Sequence, residues 1–409
     1  IELNATLADV NANLDVSGTY TGGGTMTTGG NIVIPDAGNI GSASDTDAMA
    51  IASTGQVTFS QNINPPHPAR NYLINGDFAV TQRLNGAVAT SATTPANSDD
   101  TYIHDRWLLL SDGNDIIDVG RSTANRTDGQ YLNLSTVETA DKKFGFAQII
   151  ENRDAAQLVG GSAVVTLSFI AAVSNTSRLD DIRAGIVSWS STADTVTSDL
   201  VNSWGSADAN PTLATNWTFE NTPANLSVGT SFARYSVTAT IDTGSTTNVA
   251  AFIWSNSVDN DVDDLFYLGA CQLELGSYAT PFITESYQEN LARCQRYYEV
   301  INMQSYARVG NSLNTNDTRG HGFDFKVEKR TSSLTLGHST IGRNNGEFSF
   351  TSASGNYVST DPDDIGAYLT TTNASIYATS STNIAGLTND SISSIYANGT
   401  AQLTFDAEL

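Results

Sequence analysis

Apolar and polar residues alternate along most of the chain, and a period of two predicts β-strands. In the longest such run, residues 265–275, one face is expected to carry the side chains of Tyr267, Gly269, Cys271, Leu273 and Leu275. Shorter runs at a loop-rich spacing are typical of an antiparallel sandwich of two sheets. We predict its strands at residues 71–80, 105–112, 116–119, 130–134, 144–150, 163–173, 183–189, 232–241, 248–254 and 265–275.

The period changes in residues 285–300. Leu291, Cys294 and Tyr297 recur at helical spacing, acidic residues come early and arginines come late, which suits the helix dipole. We therefore predict a short connecting helix. Residues 301–409 return to brief alternating runs and predict a small C-terminal β domain.

The first 64 residues contain too many glycines and too few apolar side chains to build a core of their own. We predict an extended, glycine-rich shaft of short β segments that gains stability when chains wrap around one another. A flexible linker is the alternative. A proline-rich boundary follows the shaft. The predicted division is a shaft at 1–64, a sandwich at 65–284, a connecting helix at 285–300 and a β domain at 301–409.

Charge is scarce and unbalanced. Charged residues make up 15% of the chain, against about a quarter in an ordinary globular protein. The net charge is −24, from 43 acidic and 19 basic residues, which argues against a nucleic-acid partner and an anionic membrane surface. No apolar run reaches about 18 residues, so we expect no membrane insertion. Without an initiating Met or a signal pattern, the chain is expected to be part of a longer or processed protein.

Residue types that carry catalysis show no recognisable pattern. Four histidines occur, none of them in HExxH or beside a GxSxG elbow, and neither cysteine has a catalytic signature next to it. Pairs of carboxylates are plentiful, but a chain with 43 acids contains them by chance. We therefore expect no enzymatic activity. Cys271 and Cys294 are expected to be buried free thiols, with a disulfide between them as the alternative.

Three separated motifs resemble a module of phage and prophage tail-fibre proteins. They are NYLINGDFAVTQR at residues 71–83, DRW at 105–107, and QLELGSYATPF followed by CQRYYE within 272–299. Their order matches that of the family, and the resemblance covers about residues 71–299. It implies a jelly-roll sandwich similar to carbohydrate-binding modules. In the shaft, TDAMAIASTGQVTFS resembles the repeated segments of trimeric phage fibres.

Four aspartates precede the last predicted strand of the sandwich: Asp259, Asp261, Asp263 and Asp264. Hard oxygen ligands at alternate positions suit Ca²⁺, although the glycine and glutamate of an EF-hand are missing. The resemblance places Asp264 at the structural calcium of carbohydrate-binding jelly rolls, with Asp77 as its counterpart near the first strand. We predict a structural Ca²⁺ held by Asp77, Asp261, Asp263 and Asp264. A solvated acidic turn is the alternative.

Residues 190–228 form a long polar stretch, and long loops on a rigid sandwich are common ligand sites. Trp204 and Trp217 lie within it, and Trp189 ends the strand before it. An exposed indole presents a flat apolar face on which a sugar ring stacks. We predict that Trp189, Trp204 and Trp217 bind the ligand, with packing of the loop itself as the alternative.

These observations lead to a hypothesis about function. The chain is expected to be an extracellular virion component, a homotrimeric tail-fibre protein that contacts other tail proteins and attaches to a host cell-surface glycan. Three weak sites on one stalk would gain avidity through effective concentration. The alternatives are a purely structural or decorative virion fibre and a bacterial surface adhesin.

Overall fold

A computed structural model of the protein describes most of the chain. The chain divides into two compact units, residues 1–64 and residues 65–409. The boundaries predicted after residues 284 and 300 lie inside the second unit and stay predictions. The described residues are 33–34, 38–42, 45–55, 57–59, 70–83, 99–122, 131–303, 308–311, 317–339, 348–351, 364–379, 392–397 and 401–409.

The first unit contains one small antiparallel sheet in the order β1-β2-β3. Met49 in the central strand pairs with Ile40 on one side and Phe59 on the other. This part of the predicted shaft is built from short strands, as expected, while residues 1–32 of the shaft lie outside the described residues. The strands are β1 (Asn39–Ser42), β2 (Asp45–Ile51) and β3 (Val57–Phe59).

The second unit begins with the sandwich, which contains thirteen strands and one short helix. Its elements in chain order are β4 (Thr101–His104), β5 (Trp107–Ser111), β6 (Ile117–Ser122), β7 (Leu132–Val137), β8 (Phe144–Ile150), α1 (Asn152–Ala155), β9 (Ala163–Val173), β10 (Ile182–Trp189), β11 (Val201–Ser203), β12 (Thr212–Leu213), β13 (Trp217–Phe219), β14 (Ala233–Ile241), β15 (Asn248–Ser255) and β16 (Leu265–Leu275).

Two antiparallel sheets make the sandwich. One has six strands in the order β13-β10-β15-β8-β5-β4, and the other has five in the order β14-β9-β16-β7-β6. The chain crosses between the sheets at each step from β8 to β10 and again from β14 to β16, as in a jelly roll. The predicted all-β fold with an antiparallel jelly-roll sandwich is therefore confirmed.

Inward-facing apolar side chains fill the space between the two sheets. Phe146 on the six-stranded sheet stacks against Phe266 on the five-stranded sheet, with ring centroids 6.4 Å apart. Leu167, Phe169 and Ile253 are fully buried beside them. Burying one such side chain stabilises a fold by about 1.5–3 kcal/mol, so this core holds the sheets together.

A β-bulge in β16 overturns the predicted face of that strand. The register against β9 shifts between Gly269 and Gln272, and Ala270 takes a left-handed φ of 48°. An extra residue reverses the alternation of side chains. Cys271 therefore lies in the core, whereas Tyr267, predicted to share its face, lies on the outer side of the sheet.

The predicted first strand, residues 71–80, is wrong, because this segment follows an irregular path with turns. It lies along the part of β16 that β7 leaves unpaired. The backbone N–H of Tyr72 donates to the Leu273 carbonyl, and that of Cys271 donates to the Gly76 carbonyl, both at 2.9 Å. The apolar pattern of the segment therefore reflects packing against the sandwich and not a regular ladder.

The connecting helix is shorter than the predicted 285–300. It begins at a capping box formed by Ser286 and Glu289, and it ends before the strand that starts at Tyr298. No helix among the described residues is long and apolar enough to cross a membrane. The helix is α2 (Tyr287–Gln295).

The chain after α2 forms three small antiparallel sheets in the orders β17-β25-β20, β18-β24-β21 and β19-β23-β22. Phe348, Ile376 and Phe405 are buried in their shared core, which agrees with the predicted all-β C-terminal region. The strands are β17 (Tyr298–Asn302), β18 (Arg308–Asn311), β19 (Asp317–Asp324), β20 (Thr335–His338), β21 (Phe348–Thr351), β22 (Asp364–Leu369), β23 (Asn373–Thr379), β24 (Ile392–Ala397) and β25 (Gln402–Asp406).

Candidate functional site

The long segment of residues 190–228 covers the outer face of the six-stranded sheet. Trp189 and Trp217 are only 4% and 5% exposed, and their ring centroids lie 5.3 Å apart. Each indole N–H donates to a loop carbonyl, Trp189 to Thr192 at 3.0 Å and Trp217 to Thr197 at 2.9 Å. These two rings are buried anchors for the loop, which corrects the premise that they are exposed to a ligand.

Trp204 is half-buried, and its ring lies 6.1 Å from that of Phe252 on the sheet beneath. The loop also contributes Leu200 and Val201 to this outer apolar cluster. Such apolar residues, scattered through a polar stretch, are the signal in the sequence that the loop packs. The structure therefore favours the loop-packing alternative for the tryptophans.

The four aspartates predicted to hold calcium do not come together. Asp77 is buried beside α2, where its carboxylate accepts hydrogen bonds from the Asn290 side chain at 3.2 Å and the Ala79 amide at 3.3 Å. Asp264 lies at the start of β16, roughly 20 Å along the strand from the bulge that contacts the Asp77 segment. Among the described residues, no group of three His, Cys, Asp or Glu side chains is placed to hold a metal ion.

The acidic loop before β16 instead closes on itself. Asp264 is buried and accepts a hydrogen bond from the backbone N–H of Asp261 at 2.9 Å. The Arg178 guanidinium lies 3.5 Å from Asp261 and 3.7 Å from Asp264. Asp263 takes a left-handed φ of 69°, as expected of a turn residue. These contacts fit the acidic-turn alternative.

A partly exposed aromatic pair lies on the outer face of the five-stranded sheet. Tyr267 pairs in register with Ala172 on one side and Leu134 on the other. Phe232, one residue before β14, meets the Tyr267 ring edge-on, with centroids 5.5 Å apart and planes at 81°. Ala172 lies between the two and is small enough to let the rings meet. We name the surface formed by Phe232, Ala172, Tyr267 and Leu134 the aromatic platform.

Polar side chains border the aromatic platform on the same face. Ser236 and Thr238 are exposed along β14. Arg234, also exposed, donates to the Ser168 hydroxyl at 2.6 Å and to the Thr280 carbonyl at 2.8 Å. An apolar surface with a few fixed polar groups beside it can hold a sugar ring and orient its hydroxyls.

The QLELGSYATPF motif fastens a loop onto this face. The fully buried Glu274 carboxylate accepts hydrogen bonds from the Thr280 amide at 2.8 Å and the Thr280 hydroxyl at 2.6 Å. It also accepts one from the Gln272 side chain at 2.7 Å. A buried carboxylate with several donors is satisfied without a metal, so this motif has a structural role.

The first two motifs and helix α2 meet around Asn75. Its side-chain amide donates to the carbonyls of Val80 at 2.9 Å and Asp105 at 3.0 Å. The backbone carbonyl of Asn75 accepts the indole N–H of Trp107 at 2.9 Å, and its backbone N–H donates to the side-chain carbonyl of Asn290 on α2 at 3.1 Å. Residues of the first two motifs and of α2, far apart in sequence, therefore form one hydrogen-bonded unit.

A buried ionic cluster joins this unit to the end of the chain. We name it the C-terminal clamp: Arg83, Arg106, Tyr297, Tyr298 and Glu408. Both arginines pair with Glu408. The guanidinium carbon of Arg83 lies 3.8 Å from the ring centroid of Tyr298, and that of Arg106 lies 3.7 Å from the ring centroid of Tyr297. Burial lowers the pKa of each arginine, but the charge of Glu408 more than offsets it, aided by Asp406 at Arg83 and by Tyr297 at Arg106, so both pKa values are raised.

Two adjacent groups beside the clamp titrate with opposite effects on stability. Burial raises the pKa of Asp105 to about 6 and lowers that of His104 to about 4. Folded Asp105 binds its proton at a higher pH than unfolded Asp105 does. The free energy of unfolding therefore rises through this group as the pH falls from about 6 to about 4, where the unfolded carboxyl is protonated too. Unfolded His104 binds its proton at a higher pH than folded His104 does. The free energy of unfolding therefore falls through this group as the pH falls from about 6.5 to about 4. In the wild-type chain these two contributions to the pH dependence of the free energy of unfolding oppose each other.

The Asp105→Asn variant lacks the titrating carboxyl, so we expect only the destabilising contribution of His104 to remain as the pH falls. Between about pH 6.5 and pH 4 the free energy of unfolding of the variant should fall by about 2–3 kcal/mol more than that of the wild type. Urea unfolding across this pH range measures the difference. Asp180→Asn, at an exposed position, is the control and should follow the wild-type curve. Parallel curves for Asp105→Asn and the wild type would contradict the assigned directions.

No protein-family model matches the sequence, and no curated protein matches it. Among solved structures, the chain is similar to a carbohydrate-binding module, TmCBM61, in complex with β-1,4-galactotriose, at 13% sequence identity over 51% of this chain and 100% of that chain (TM-score 0.28). It is also similar to a xylan-binding domain from Paenibacillus barcinonensis, at 12% identity over 45% and 94% (TM-score 0.26).

A third similar structure is the enzymatically active domain of bacteriophage CBA120 tailspike protein 4, at 14% identity over 45% of this chain and 22% of that chain (TM-score 0.27). All three likenesses are distant, and they carry no argument about function. The candidate site therefore depends on the chain's own residues. Of the surfaces that the structure describes, the aromatic platform has the chemistry best suited to a sugar.

Proposed function

We propose that this chain is an extracellular, non-enzymatic glycan-binding protein of a phage tail fibre that attaches the virion to its host. The aromatic platform carries the proposal: Phe232 and Tyr267 are partly exposed on an open sheet face and have polar side chains beside them. The C–H faces of a sugar ring pack on such aromatic rings. The motif resemblance over residues 71–299 supports the assignment to a fibre.

The small sheet of the first unit supports assembly into a homotrimer. Ile40, Val57 and Phe59 are exposed on this sheet, and Val33, which precedes it in the chain, is 89% exposed. Apolar side chains on a three-stranded sheet are stabilised when other chains cover them. We therefore propose that copies of the chain wrap around one another here.

Trimerisation fits a shallow binding surface. One open platform binds a sugar weakly, because it covers little of the ligand. Three platforms on one stalk act at high effective concentration, and avidity then exceeds the single-site affinity by roughly 10²–10⁴. Attachment in this mechanism requires no turnover of the glycan.

We expect the double variant Phe232→Ala/Tyr267→Ala to lose glycan binding. Truncating a central aromatic contact typically costs about 2 kcal/mol or more, which is roughly thirtyfold in affinity. A glycan array identifies a bound oligosaccharide for the full chain, and surface-based binding measurements then compare wild type and variant.

Tyr368→Ala is the matched control, because Tyr368 is 61% exposed in β22 and belongs to the C-terminal region. It should bind as the wild type does. A full chain that binds no glycan and no host cell would favour the purely structural fibre. Binding that survives the loss of both platform rings would overturn the site.

A further inference from the structure

A cavity of about 630 Å³ opens beside α1 and α2, a size typical of ligand sites. Arg70, Arg153, Arg293 and Arg296 all line it. The whole chain has only 19 basic residues and a net charge of −24, so four arginines in one cavity are a strong local departure. A cleft with an excess of one sign of charge attracts a ligand of the opposite sign. The cavity therefore suits an anion.

Two of these arginines stand at the solvent-exposed side. Arg70 is 54% exposed and forms an ion pair with Asp154 at 3.0 Å. Arg153 is exposed and forms no ion pair with any residue that the structure describes. The Arg70 guanidinium also lies 4.9 Å from the centre of the Tyr72 ring. An exposed pair such as Arg70–Asp154 contributes at most about 1 kcal/mol, so a ligand can compete for this guanidinium.

The other two arginines are held in place by neighbours. Arg296 pairs with Glu151 at 2.7 Å, and Glu151 also accepts a hydrogen bond from the Tyr297 hydroxyl at 2.8 Å. Arg293 on α2 forms an ion pair with Glu285, which lies just before the helix. Four arginines thus face three carboxylates, and the cavity keeps an excess of positive charge in an acidic protein.

The rest of the lining identifies the ligand class. Ile74 and Ile283 supply apolar walls, and the carboxylates of Asp154 and Glu285 can accept hydrogen bonds from hydroxyl groups. A sugar acid offers one carboxylate for arginine, several hydroxyl donors and apolar C–H faces. A free phosphate ion lacks the apolar C–H faces that would pack on these walls and the several hydroxyl donors that these carboxylates would accept.

The cavity also borders the sheet face that carries the aromatic platform. Gln272 lines the cavity and pairs with Ser168 in β9, while Tyr267 pairs with Ala172 in the same strand. Ser168 and Ala172 are four residues apart, which is about 13 Å along a strand. The lining of the cavity and the aromatic platform are therefore neighbours on the same pair of strands.

We infer that this arginine-lined cavity binds a carboxylate-bearing sugar of an acidic glycan, an inference that rests on the proposed glycan-binding function. The platform then supplies general affinity for sugar rings, and the cavity selects for the acid. Arg153 and Arg70 are the residues that meet the carboxylate, because they alone among the four are exposed at the mouth.

The test compares acidic and neutral probes on the full-length chain. Trigalacturonic acid, a hyaluronan tetrasaccharide and 3′-sialyllactose are the acidic probes, galactotriose and lactose are the neutral ones, and inorganic phosphate is a competitor. We expect at least one acidic probe to bind about tenfold or more tightly than the neutral probes. Arg70→Gln/Arg153→Gln should remove that preference and leave neutral binding unchanged, since a hydrogen bond to a charged group contributes about 1.5–3 kcal/mol.

Arg178→Gln is the matched control, because it removes one exposed positive charge (43% exposed) from the acidic loop before β16. It should keep the preference for the acid. Two results would overturn the inference about the cavity and leave the proposed function intact. One is that glycans bind through the platform and Arg70→Gln/Arg153→Gln does not change the preference for the acidic probe. The other is that phosphate displaces the acidic probe at equal concentration. If no glycan binds at all, the proposed function fails as well.

Discussion

Glu408→Gln is expected to lower the free energy of unfolding by about 3–5 kcal/mol. Glu408 is the shared partner of Arg83 and Arg106, and the Arg106 side chain is only 1% exposed. Gln keeps the shape of the side chain but removes its charge, so Arg106 is left buried without a counter-ion. Chemical denaturation followed by tryptophan fluorescence measures the loss.

Asp154→Asn is the control for this prediction, because it removes the exposed ion pair with Arg70. Exposed pairs contribute about 0–1 kcal/mol, so the control should remain close to the wild type. The double variant Arg106→Met/Glu408→Leu removes both charges and should recover most of the stability. A loss below about 1 kcal/mol for Glu408→Gln would show that the C-terminal clamp does not stabilise the contact between the end of the chain and the sandwich.

Gly76→Ala is expected to destabilise the fold by about 3 kcal/mol. A methyl group at Gly76 would lie 2.1 Å from the Cys271 carbonyl oxygen. That oxygen belongs to the backbone of β16, and the same pair of residues is joined by the 2.9 Å hydrogen bond from the Cys271 N–H to the Gly76 carbonyl. The clash therefore cannot be relieved by a side-chain rotation.

The matched control for Gly76→Ala is Gly161→Ala, where an added methyl group meets no atom within 4 Å. We expect its midpoint of chemical denaturation to equal that of the wild type or to rise slightly, because alanine restricts the unfolded chain. Equal midpoints for both variants would mean that the segment around Gly76 is not packed on β16.

The sequence predicts the long strands of the sandwich well. Residues 163–173 and 265–275 are confirmed as β9 and β16 with the same bounds. In β9 inward apolar residues alternate with outward ones along the whole strand, so local pattern and tertiary burial agree. In β16 the bounds agree, although the bulge changes which residues face inward. Helix α2 is predicted at the right place but too long, because Tyr298 pairs with Asp406 and so belongs to a sheet.

The candidate site is less visible in the sequence, for physical reasons. The bulge at Ala270 moves Tyr267 to the outer face, and a period of two gives no sign of an inserted residue. Burial of Trp189 depends on a loop that folds back over the sheet. Glu408 meets Arg106 from the far end of the chain, a contact that no local pattern encodes.

The central claim is that the aromatic platform is the place where the glycan binds. A crystal structure of the full chain with the best-bound oligosaccharide from the array tests this most directly. The account predicts a sugar ring packed on Tyr267 and Phe232, with its hydroxyls directed towards the polar side chains of β14. A sugar seated on Trp204, with the platform left uncovered, would contradict it.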